Sequence, residues 1–407
     1  MKMDKRKIAI ISLHGAWLPY EGHSSRFYNM AKVFSDRGWE VDLISGDYDH
    51  FEKRRRDLKK IQELNYGFHT SFVYVPPYKK NTDPKREVSN YVAKKGVIRH
   101  LQVNKYDAVY CAIPPNNIAA GVMKYCHSHR IPCVVDVEDL WPEGMTYLVK
   151  NKVLQKLIFS YYFKSAETAY KYADAVVGTS DDYTLRATKY NHRDIPSKTI
   201  FVGAELDLFD NGVKEYFDEI EKPENDYWVS YAGSISTSYD IRTLVLAAKK
   251  LYEIDKDIKV QILGTGQLKD ELEKLSKDIG ANNVTFYGYT KYPKMAAYLS
   301  KSDIVINSFV KGVAQSFVTK IGDYLSSESV IINTLENPLF KDFIDRNMVG
   351  INISPGDVDI LVKTILDIKG SPDEAHEMAL RGRKIAEELF DKKVAYQAAV
   401  DLVESLL

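Results

Sequence analysis

The chain has 407 residues, with 56 basic and 56 acidic side chains that cancel to a formal net charge of zero. A chain of this length is too long for one hydrophobic core and predicts two domains. The balanced charge gives no general preference for nucleic acid, and the three scattered cysteines argue against a disulfide framework. The basic start runs into only a short apolar segment, which predicts a first strand and not a signal peptide. No apolar stretch approaches the ~20 residues of a spanning helix, so a cytoplasmic protein is expected.

The first half of the chain alternates short apolar strands with helices. Strands are predicted at residues 7–13, 41–44, 108–112, 133–137, 175–178 and 199–202. Helices are predicted at residues 24–37 and 117–129. This alternation indicates a parallel, doubly wound sheet. We assign it to a first domain at residues 1–209.

One stretch of this first half is strongly basic. Residues 51–106 hold fourteen Lys or Arg against five Asp or Glu, a local net charge of nine positive. Six aromatic residues are interleaved with the cations: Tyr66, Phe68, Phe72, Tyr74, Tyr78 and Tyr91. Basic residues mixed with aromatic ones favour an anionic membrane surface. Residues 51–105 are therefore predicted to hold the protein on the inner face of the cell membrane; the alternative is a solvated pair of helices.

The second half repeats the alternation. Residues 210–226 are acidic and lack apolar periodicity, which we interpret as a linker. Strands then follow at residues 228–232, 259–263, 284–287, 304–306 and 330–332. Residues 227–387 are predicted to form the second domain, and a C-terminal helix at about 388–407 to pack back on the first. The predicted fold class is α/β, with two doubly wound Rossmann-like domains facing a cleft.

Glycine-containing loops follow the first two strands of the second domain. Gly233-Ser234 opens one loop and Gly264 opens the other. Glycine lets backbone N–H groups approach a ligand closely, although ordinary glycine turns are the alternative. The run Gly264-Thr265-Gly266 lacks the third glycine of a dinucleotide fingerprint, and a Walker loop is absent. This pattern favours a single nucleoside diphosphate over NAD or ATP hydrolysis.

A lysine and a carboxylate follow in a later segment of the same domain. Lys320 and Asp323 are three residues apart and so lie on one face of a predicted helix. Gln315 and Ser316 come just before them, and Ser316 could cap that helix. A lysine near a helix N-terminus suits a phosphate, and a carboxylate beside it suits sugar hydroxyls. The alternative is a solvated helix face with an ordinary Lys–Asp pair.

The first domain offers a second group of candidate residues. Glu138 and Asp139 follow a predicted apolar strand. Carboxylates in this position, beside Trp141, could bind sugar hydroxyls or act as a base, whereas capping of a helix by Asp139 is the alternative. In the first strand-to-helix loop, His23 and Arg26 offer an imidazole and a guanidinium on the acceptor side, although a histidine there is more often structural.

Taken together, these motifs resemble those of bacterial glycosyltransferases of the large retaining family 4, which have the GT-B fold. Asp139-Leu140-Trp141-Pro142-Glu143 is similar to a motif of polysaccharide and O-antigen enzymes. Lys320-Ile321-Gly322-Asp323-Tyr324-Leu325 is similar to the family's Lys-x-x-acid-Tyr-Leu signature. Residues 202–209 and 231–235 also match, in the expected order, so the resemblance covers nearly the whole chain.

The resemblance implies transfer of a sugar from a nucleoside diphosphate sugar, here a UDP-sugar, to a glycan or lipid-linked acceptor in surface-glycan synthesis. No metal and no other cofactor is expected, because fixed N–H donors and Lys320 can stabilise the leaving diphosphate. The implied roles are diphosphate contacts for the glycine loops and Lys320, ribose contacts for Asp323, and base contacts for the tyrosines. The candidate donor-binding set is Gly22, Gly233, Ser234, Gly264, Tyr287, Tyr289, Gln315, Ser316, Lys320 and Asp323.

Three departures from the family pattern leave a different function open. Gln315 stands where many members have the first of two glutamates, and Tyr239-Asp240 replaces a Lys-Gly pair. Glu138 stands where many members have a histidine. A catalytically silent partner or glycan-binding subunit is therefore the alternative function.

Overall fold

Two parallel β-sheets organise the chain into two units. The computed structural model describes residues 5–21, 25–80, 83–143, 149, 151–313 and 317–407. Unit 1 comprises Met1–Val202 and Ala395–Leu407, and unit 2 comprises Gly203–Val394.

Among the described residues of unit 1, seven strands form one parallel sheet in the order β3-β2-β1-β4-β5-β6-β7. The strands are β1 (Lys7–Ile11), β2 (Glu40–Gly46), β3 (His69–Val73), β4 (Ala108–Ile113), β5 (Cys133–Val137), β6 (Ala175–Gly178) and β7 (Ser197–Thr199). The helices between them are α1 (Arg26–Asp36), α2 (Leu58–Glu63), α3 (Lys85–Val103), α4 (Asn116–His129), α5 (Lys152–Tyr172) and α6 (Asp181–Thr188).

Both faces of this sheet are covered, as the continuous apolar runs of its strands require. Successive residues of β1 alternate between two cores: Ile8 and Ile10 pack into one, and Ala9 and Ile11 into the other. In the register of the sheet, Ile10 lies between Leu43 and Tyr110 on the neighbouring strands. The sheet therefore positions loops at the carboxyl ends of its strands, where ligands bind in open α/β folds.

Unit 2 has the same construction. Six strands, counted over its described residues, form a parallel sheet in the order β10-β9-β8-β11-β12-β13. They are β8 (Tyr227–Ala232), β9 (Ile258–Leu263), β10 (Val284–Gly288), β11 (Ile304–Asn307), β12 (Val330–Asn333) and β13 (Gly350–Asn352). The helices are α7 (Leu206–Tyr216), α8 (Ile241–Ile254), α9 (Lys269–Asp278), α10 (Tyr292–Ser300), α11 (Ile321–Ser326), α12 (Pro338–Asn347), α13 (Val358–Gly370), α14 (Pro372–Ile385) and α15 (Lys392–Ala395).

The last helix, α16 (Gln397–Glu404), packs on the sheet of unit 1. Its fully buried Val400 and Val403 share a core with Ile8 and Ile10 of β1. This apolar contact explains why the end of the chain belongs to the first unit.

The predicted fold class, two doubly wound α/β domains, is confirmed. The structure differs in detail at residues 210–226, because helix α7 covers Leu206–Tyr216 where a linker was predicted. Its acidic positions face outward, while Phe209 is fully buried and a Cβ on Gly212 would lie 2.5 Å from Pro293. The short edge strands β3 and β13 were not predicted. In the described part of the chain, no helix is long and apolar enough to cross a membrane.

Candidate active site

The glycine loops after β8 and β9 pack against each other backbone to backbone. Gly233 N–H donates to the Leu263 carbonyl at 2.9 Å. A Cβ on Gly264 would lie 1.8 Å from the Gly233 carbonyl oxygen. Gly264 is therefore required for loop packing, and the Gly233 N–H is already bonded within the protein. This corrects the predicted role of these two glycines as direct N–H donors to a ligand.

A buried lysine lies beside these loops. Lys320 precedes α11, and its Nζ is 3.4 Å from the Tyr231 hydroxyl. The same Nζ lies 4.5 Å from the centroid of the Tyr231 ring and 4.2 Å from that of Tyr239. A Cβ atom built on Gly233 would lie 3.2 Å from Lys320 Nζ, so the amine is next to the glycine loop. We call Lys320, Tyr231 and Tyr239 the lysine cluster. Tyr231 ties it to the loop because its hydroxyl donates to the Ser234 carbonyl at 2.7 Å.

Burial controls the charge of this lysine. Loss of contact with water lowers the pKa of Lys320 to about 7, because desolvation disfavours the ammonium form. The aromatic faces around Nζ attract a cation but replace only part of its hydration. An anion at this position would restore the full charge of Lys320. The cluster is thus suited to bind a negatively charged group.

Asp323 lies one helical turn beyond Lys320 and has a separate partner. Its Oδ1 accepts a hydrogen bond from the Tyr292 hydroxyl at 2.7 Å. Burial raises the pKa of Asp323 to about 6. Lys320 and Asp323 form no ion pair among the described residues. The alternative of an ordinary solvated Lys–Asp pair is therefore wrong, and the two side chains are available for different parts of one ligand.

Two tyrosines lie at the carboxyl end of β10. The Tyr287 ring packs against Tyr298 with a centroid distance of 4.6 Å. Tyr287 is 37% exposed and Tyr289 is 77% exposed. Both rings are therefore exposed, and their contact with the base of a nucleotide stays a prediction.

In unit 1, Glu138 follows β5 and turns toward the loop after β1. Its backbone N–H donates to the Ile113 carbonyl at 2.9 Å, and its Oε2 would be 3.4 Å from a Cβ on Gly15. Burial, together with the negative charge of Asp136, raises the pKa of Glu138 to about 8. The carboxyl group is thus mostly protonated at neutral pH. A carboxyl group with a pKa in this range is suited to general acid or base chemistry.

The rest of the acidic motif has several environments. Asp139 is exposed. The Trp141 ring lies under the Arg86 guanidinium at 4.3 Å, and the Trp141 carbonyl accepts from Asn116 Nδ2 at 2.7 Å. Glu143 forms an ion pair with Arg186. The motif therefore has a structural component at Glu143 and leaves Asp139 accessible.

Arg26 does not occupy an open acceptor site. Its Nε donates to Asp136 Oδ2 at 2.9 Å, and its Nη1 donates to the Phe201 carbonyl at 3.0 Å. The side chains of Arg26 and Asp136 are 3% and 0% exposed. Tyr110 donates a further hydrogen bond to Asp136 at 2.8 Å. These contacts indicate a structural ion pair and argue against the predicted acceptor role of Arg26.

The basic segment 51–105 is only partly a solvated surface. Arg55 and Arg56 form ion pairs with Asp47 and Glu21. The aromatic residues divide into two groups. Those packed against or inside a core are Tyr66, Phe68, Phe72 and Tyr78. Tyr74 and Tyr91 are exposed. Because this segment contains α2, β3 and α3, the pattern of interleaved aromatics comes mainly from core packing.

Four predicted site residues lie outside the described residues, and no structural role is assigned to them: Gly22, His23, Gln315 and Ser316. Within the described ranges, no group of three His, Cys, Asp or Glu side chains could hold a metal ion. The sequence analysis missed Tyr231, Tyr239 and Tyr292 as neighbours of the lysine and the aspartate. Tyr231 was detectable from its position two residues before Gly233, whereas Tyr292 gave no local signal.

Comparison with known proteins assigns both halves of the chain. A family model described as "Glycosyltransferase Family 4" matches residues 20–202. A model described as "Glycosyl transferases group 1" matches residues 212–385. No curated protein sequence matches the chain significantly.

Several solved structures share the fold over nearly the full length. HepE of Anabaena, solved in complex with UDP, is 14% identical with a TM-score of 0.69, over 98% of this chain and 100% of that one. Sucrose-phosphate synthase from Thermosynechococcus elongatus is 16% identical with a TM-score of 0.69, over 99% of each chain. WaaG, a glycosyltransferase involved in lipopolysaccharide biosynthesis, is 13% identical with a TM-score of 0.62, over 97% of this chain and 99% of that one. At these identities the likeness shows the fold, which is that of the GT-B glycosyltransferases.

Proposed function

Because the chain belongs to the family 4 glycosyltransferases over most of its length, we propose that it transfers a sugar from a UDP-sugar to a glycan or lipid-linked acceptor in surface-glycan synthesis. The observation that carries this proposal is the lysine cluster. A buried Lys320 Nζ lies 3.2 Å from the Cβ position of Gly233, in the part of unit 2 where the family holds its donor. The donor binds unit 2 and the acceptor binds unit 1.

Lys320 provides the electrostatic part of the reaction. Departure of the sugar leaves additional negative charge on the diphosphate oxygens. An ammonium group held in a dry, fixed position stabilises that charge more strongly than water does. The lowered pKa of Lys320, about 7, means that the diphosphate itself draws a proton onto the side chain. Lys320 therefore gains its positive charge when the diphosphate binds.

Asp323 and the exposed tyrosines supply donor recognition. The carboxylate of Asp323, held by Tyr292 at 2.7 Å, accepts hydrogen bonds from the ribose hydroxyls. Tyr287 or Tyr289 stacks on the base. Uracil is supported by the solved complexes of HepE with UDP and with UDP-glucose.

Glu138 is proposed to act on the acceptor. Because its pKa is about 8, the protonated form that predominates at neutral pH holds an acceptor hydroxyl by a hydrogen bond, and the ionised form takes up its proton. Asp139 and Trp141 line the same loop and contact the acceptor sugar. We propose retention of the anomeric configuration and independence of metal ions. The first is measured by NMR of the product's anomeric proton, and the second by activity in excess chelator.

Peripheral association with an anionic membrane is part of the proposal. The exposed cations of the first part of the basic segment carry it, since Arg55 and Arg56 are paired with acids. Changing Arg54, Lys59 and Lys60 to glutamine should reduce binding to vesicles that contain anionic lipid at low salt. The matched control changes three exposed lysines of unit 2: Lys256, Lys274 and Lys277. Equal vesicle binding by the two triple variants would show that residues 51–105 do not contact the membrane.

A catalytically silent subunit is the second candidate, and the Tyr239-Asp240 pair favours it. The Tyr239 ring lies 4.2 Å from Lys320 Nζ, and Asp240 caps α8 by accepting from Thr243 N–H at 3.1 Å. Neither residue provides the cation that many family members have there. Release of UDP from a UDP-sugar by the purified chain, with a cell lipid extract as the acceptor source, would eliminate this candidate. The variant Lys320→Met is the matched negative control.

A further inference from the structure

Four basic side chains meet at the carboxyl end of three neighbouring strands of unit 1. His14 follows β1, His50 and Lys53 follow β2, and Arg86 lies in the first turn of α3, after β3. These strands are adjacent in the order β3-β2-β1. We call the four residues the basic cluster. It lies at the edge of the sheet where open α/β folds bind ligands.

Direct contacts hold the cluster together. The imidazole rings of His14 and His50 stack with a centroid distance of 4.6 Å and an interplanar angle of 29°. Lys53 donates to the His50 carbonyl, and its Nζ lies 4.8 Å from the centroid of the Tyr78 ring. The Tyr78 hydroxyl is hydrogen-bonded to His50 Nδ1. Tyr78 therefore contacts both His50 and Lys53.

The electrostatic environment of the cluster favours an anion. Burial lowers the pKa of both His14 and His50 to about 3, and the charges of Arg86 and Lys53 contribute to each shift. Burial and the charge of Arg86 also lower the pKa of Lys53. Two carboxylates oppose these effects: Asp49 acts on Lys53, and Glu87 acts on Arg86. With pKa values of about 3, both imidazoles are neutral at neutral pH, so the positive charge of the cluster comes from Lys53 and Arg86.

The cluster adjoins the proposed acceptor site through two contacts. His14 is bonded to Gly15, whose Cβ position is 3.4 Å from Glu138 Oε2. The Arg86 guanidinium lies over the Trp141 ring at 4.3 Å. The basic cluster and the proposed base Glu138 are thus neighbours in unit 1.

We infer that the basic cluster binds a phosphoryl group carried by the acceptor, an inference that rests on the proposed function of the neighbouring Glu138 site. A phosphate monoester or diphosphate carries about two negative charges and several acceptor oxygens, which matches the two cations Lys53 and Arg86 better than a single carboxylate does. The acceptor is then a glycosyl phosphate or a lipid-linked diphosphate. His14 Nδ1 is a buried polar atom that has no hydrogen-bond partner in the described structure. Because Nε2 donates to Asn90 Oδ1 at 3.4 Å, Nδ1 donates to the phosphoryl group once the negative charge of that group has protonated the ring.

The test is a calorimetric titration of the full chain with inorganic phosphate and pyrophosphate, after saturation with UDP. Saturation occupies the donor site, so that the titration reports on unit 1. Lys53→Gln and Arg86→Gln should each weaken phosphate binding tenfold to a hundredfold, the loss of one charge-assisted hydrogen bond. Lys95→Gln, an exposed position on the same helix as Arg86, is the matched control and should change nothing. Lys53 is partly exposed. If Arg86→Gln unfolds the protein, Lys53→Gln therefore still tests the inference.

NMR of the histidine ring protons gives an independent readout. Added phosphate should shift two imidazoles in the wild-type protein and not in Lys53→Gln. Farnesyl diphosphate, compared with pyrophosphate, separates the two sources of the phosphoryl group: tighter binding of the former indicates a lipid-linked acceptor, and equal binding a water-soluble one. Absence of phosphate binding while UDP still binds would overturn this inference alone. If UDP does not bind, the proposed function fails, and the phosphate titration of the three variants decides the inference by itself.

Discussion

Binding of UDP should transfer a proton onto Lys320. In the free protein its pKa is about 7, so that at pH 8 roughly nine-tenths of the side chain is neutral. A charge-assisted bond to the diphosphate is worth about 1.5–3 kcal/mol. Because each ~1.4 kcal/mol raises a pKa by about one unit, the pKa of Lys320 in the complex should rise to about 8 or 9. The expected uptake at pH 8 is therefore roughly 0.4–0.8 proton per UDP bound.

The assay is calorimetry of UDP binding at pH 8 in buffers that differ in their ionisation enthalpy. The slope of the observed binding enthalpy against the ionisation enthalpy of the buffer gives the number of protons taken up. Lys320→Met is the control, since it keeps the apolar stem and removes the amine. It should abolish the slope and weaken UDP binding about tenfold to a hundredfold. A slope of zero in the wild-type protein, or an unchanged slope in Lys320→Met, would refute the assignment of Lys320 to the diphosphate.

The remaining expectations concern three further substitutions and the pH dependence of stability. Asp323→Asn should weaken the affinity for UDP about fivefold, which corresponds to the loss of about 1 kcal/mol of hydrogen bonding. The affinity for pyrophosphate, measured by calorimetry, should stay unchanged. Equal losses of affinity for both ligands would show that Asp323 does not contact the ribose. Glu138→Gln should lower kcat by about 10²–10⁴ with the UDP Kd unaltered, and a loss of UDP binding would contradict its acceptor role. Since the folded pKa of Lys320 lies below its unfolded value, the native state tolerates the charged form poorly. Stability should rise between about pH 7 and pH 10 in denaturant titrations, and Lys320→Met should flatten that rise. Arg26→Met should cost about 3–5 kcal/mol of unfolding free energy by leaving Asp136 unpaired, and a loss below about 1 kcal/mol would show that the pair is not structural.

The fold was predictable because strand and helix periodicities alternate throughout both halves. Two elements were missed because they lack an apolar run or hide it. Edge strand β3 contains His69, Thr70 and Ser71, since an edge strand needs less apolar surface. The helix α7 was hidden by acidic residues on its outer face, although Phe209 is fully buried.

The candidate site was predictable only where its residues are close in sequence. Lys320 and Asp323 share one helical turn, so their spacing placed them together. Their partners come from distant elements. Tyr231 was detectable only from its position beside Gly233, and no sequence spacing reports the contact of Tyr292 with Asp323. Arg26 was assigned to the acceptor because of its guanidinium in the first strand-to-helix loop, and its burial against Asp136 depends on the folded sheet.

The central claim, that unit 2 binds a uridine diphosphate through Lys320, is tested most directly by calorimetric titration of the purified chain with UDP, GDP and ADP. We expect UDP to bind with a Kd well below ~1 mM, more tightly than GDP or ADP, and to lose about tenfold to a hundredfold in affinity in Lys320→Met. Failure of all three nucleotides to bind below ~1 mM would contradict the proposed glycosyltransferase function, and binding that is unchanged in Lys320→Met would contradict the site.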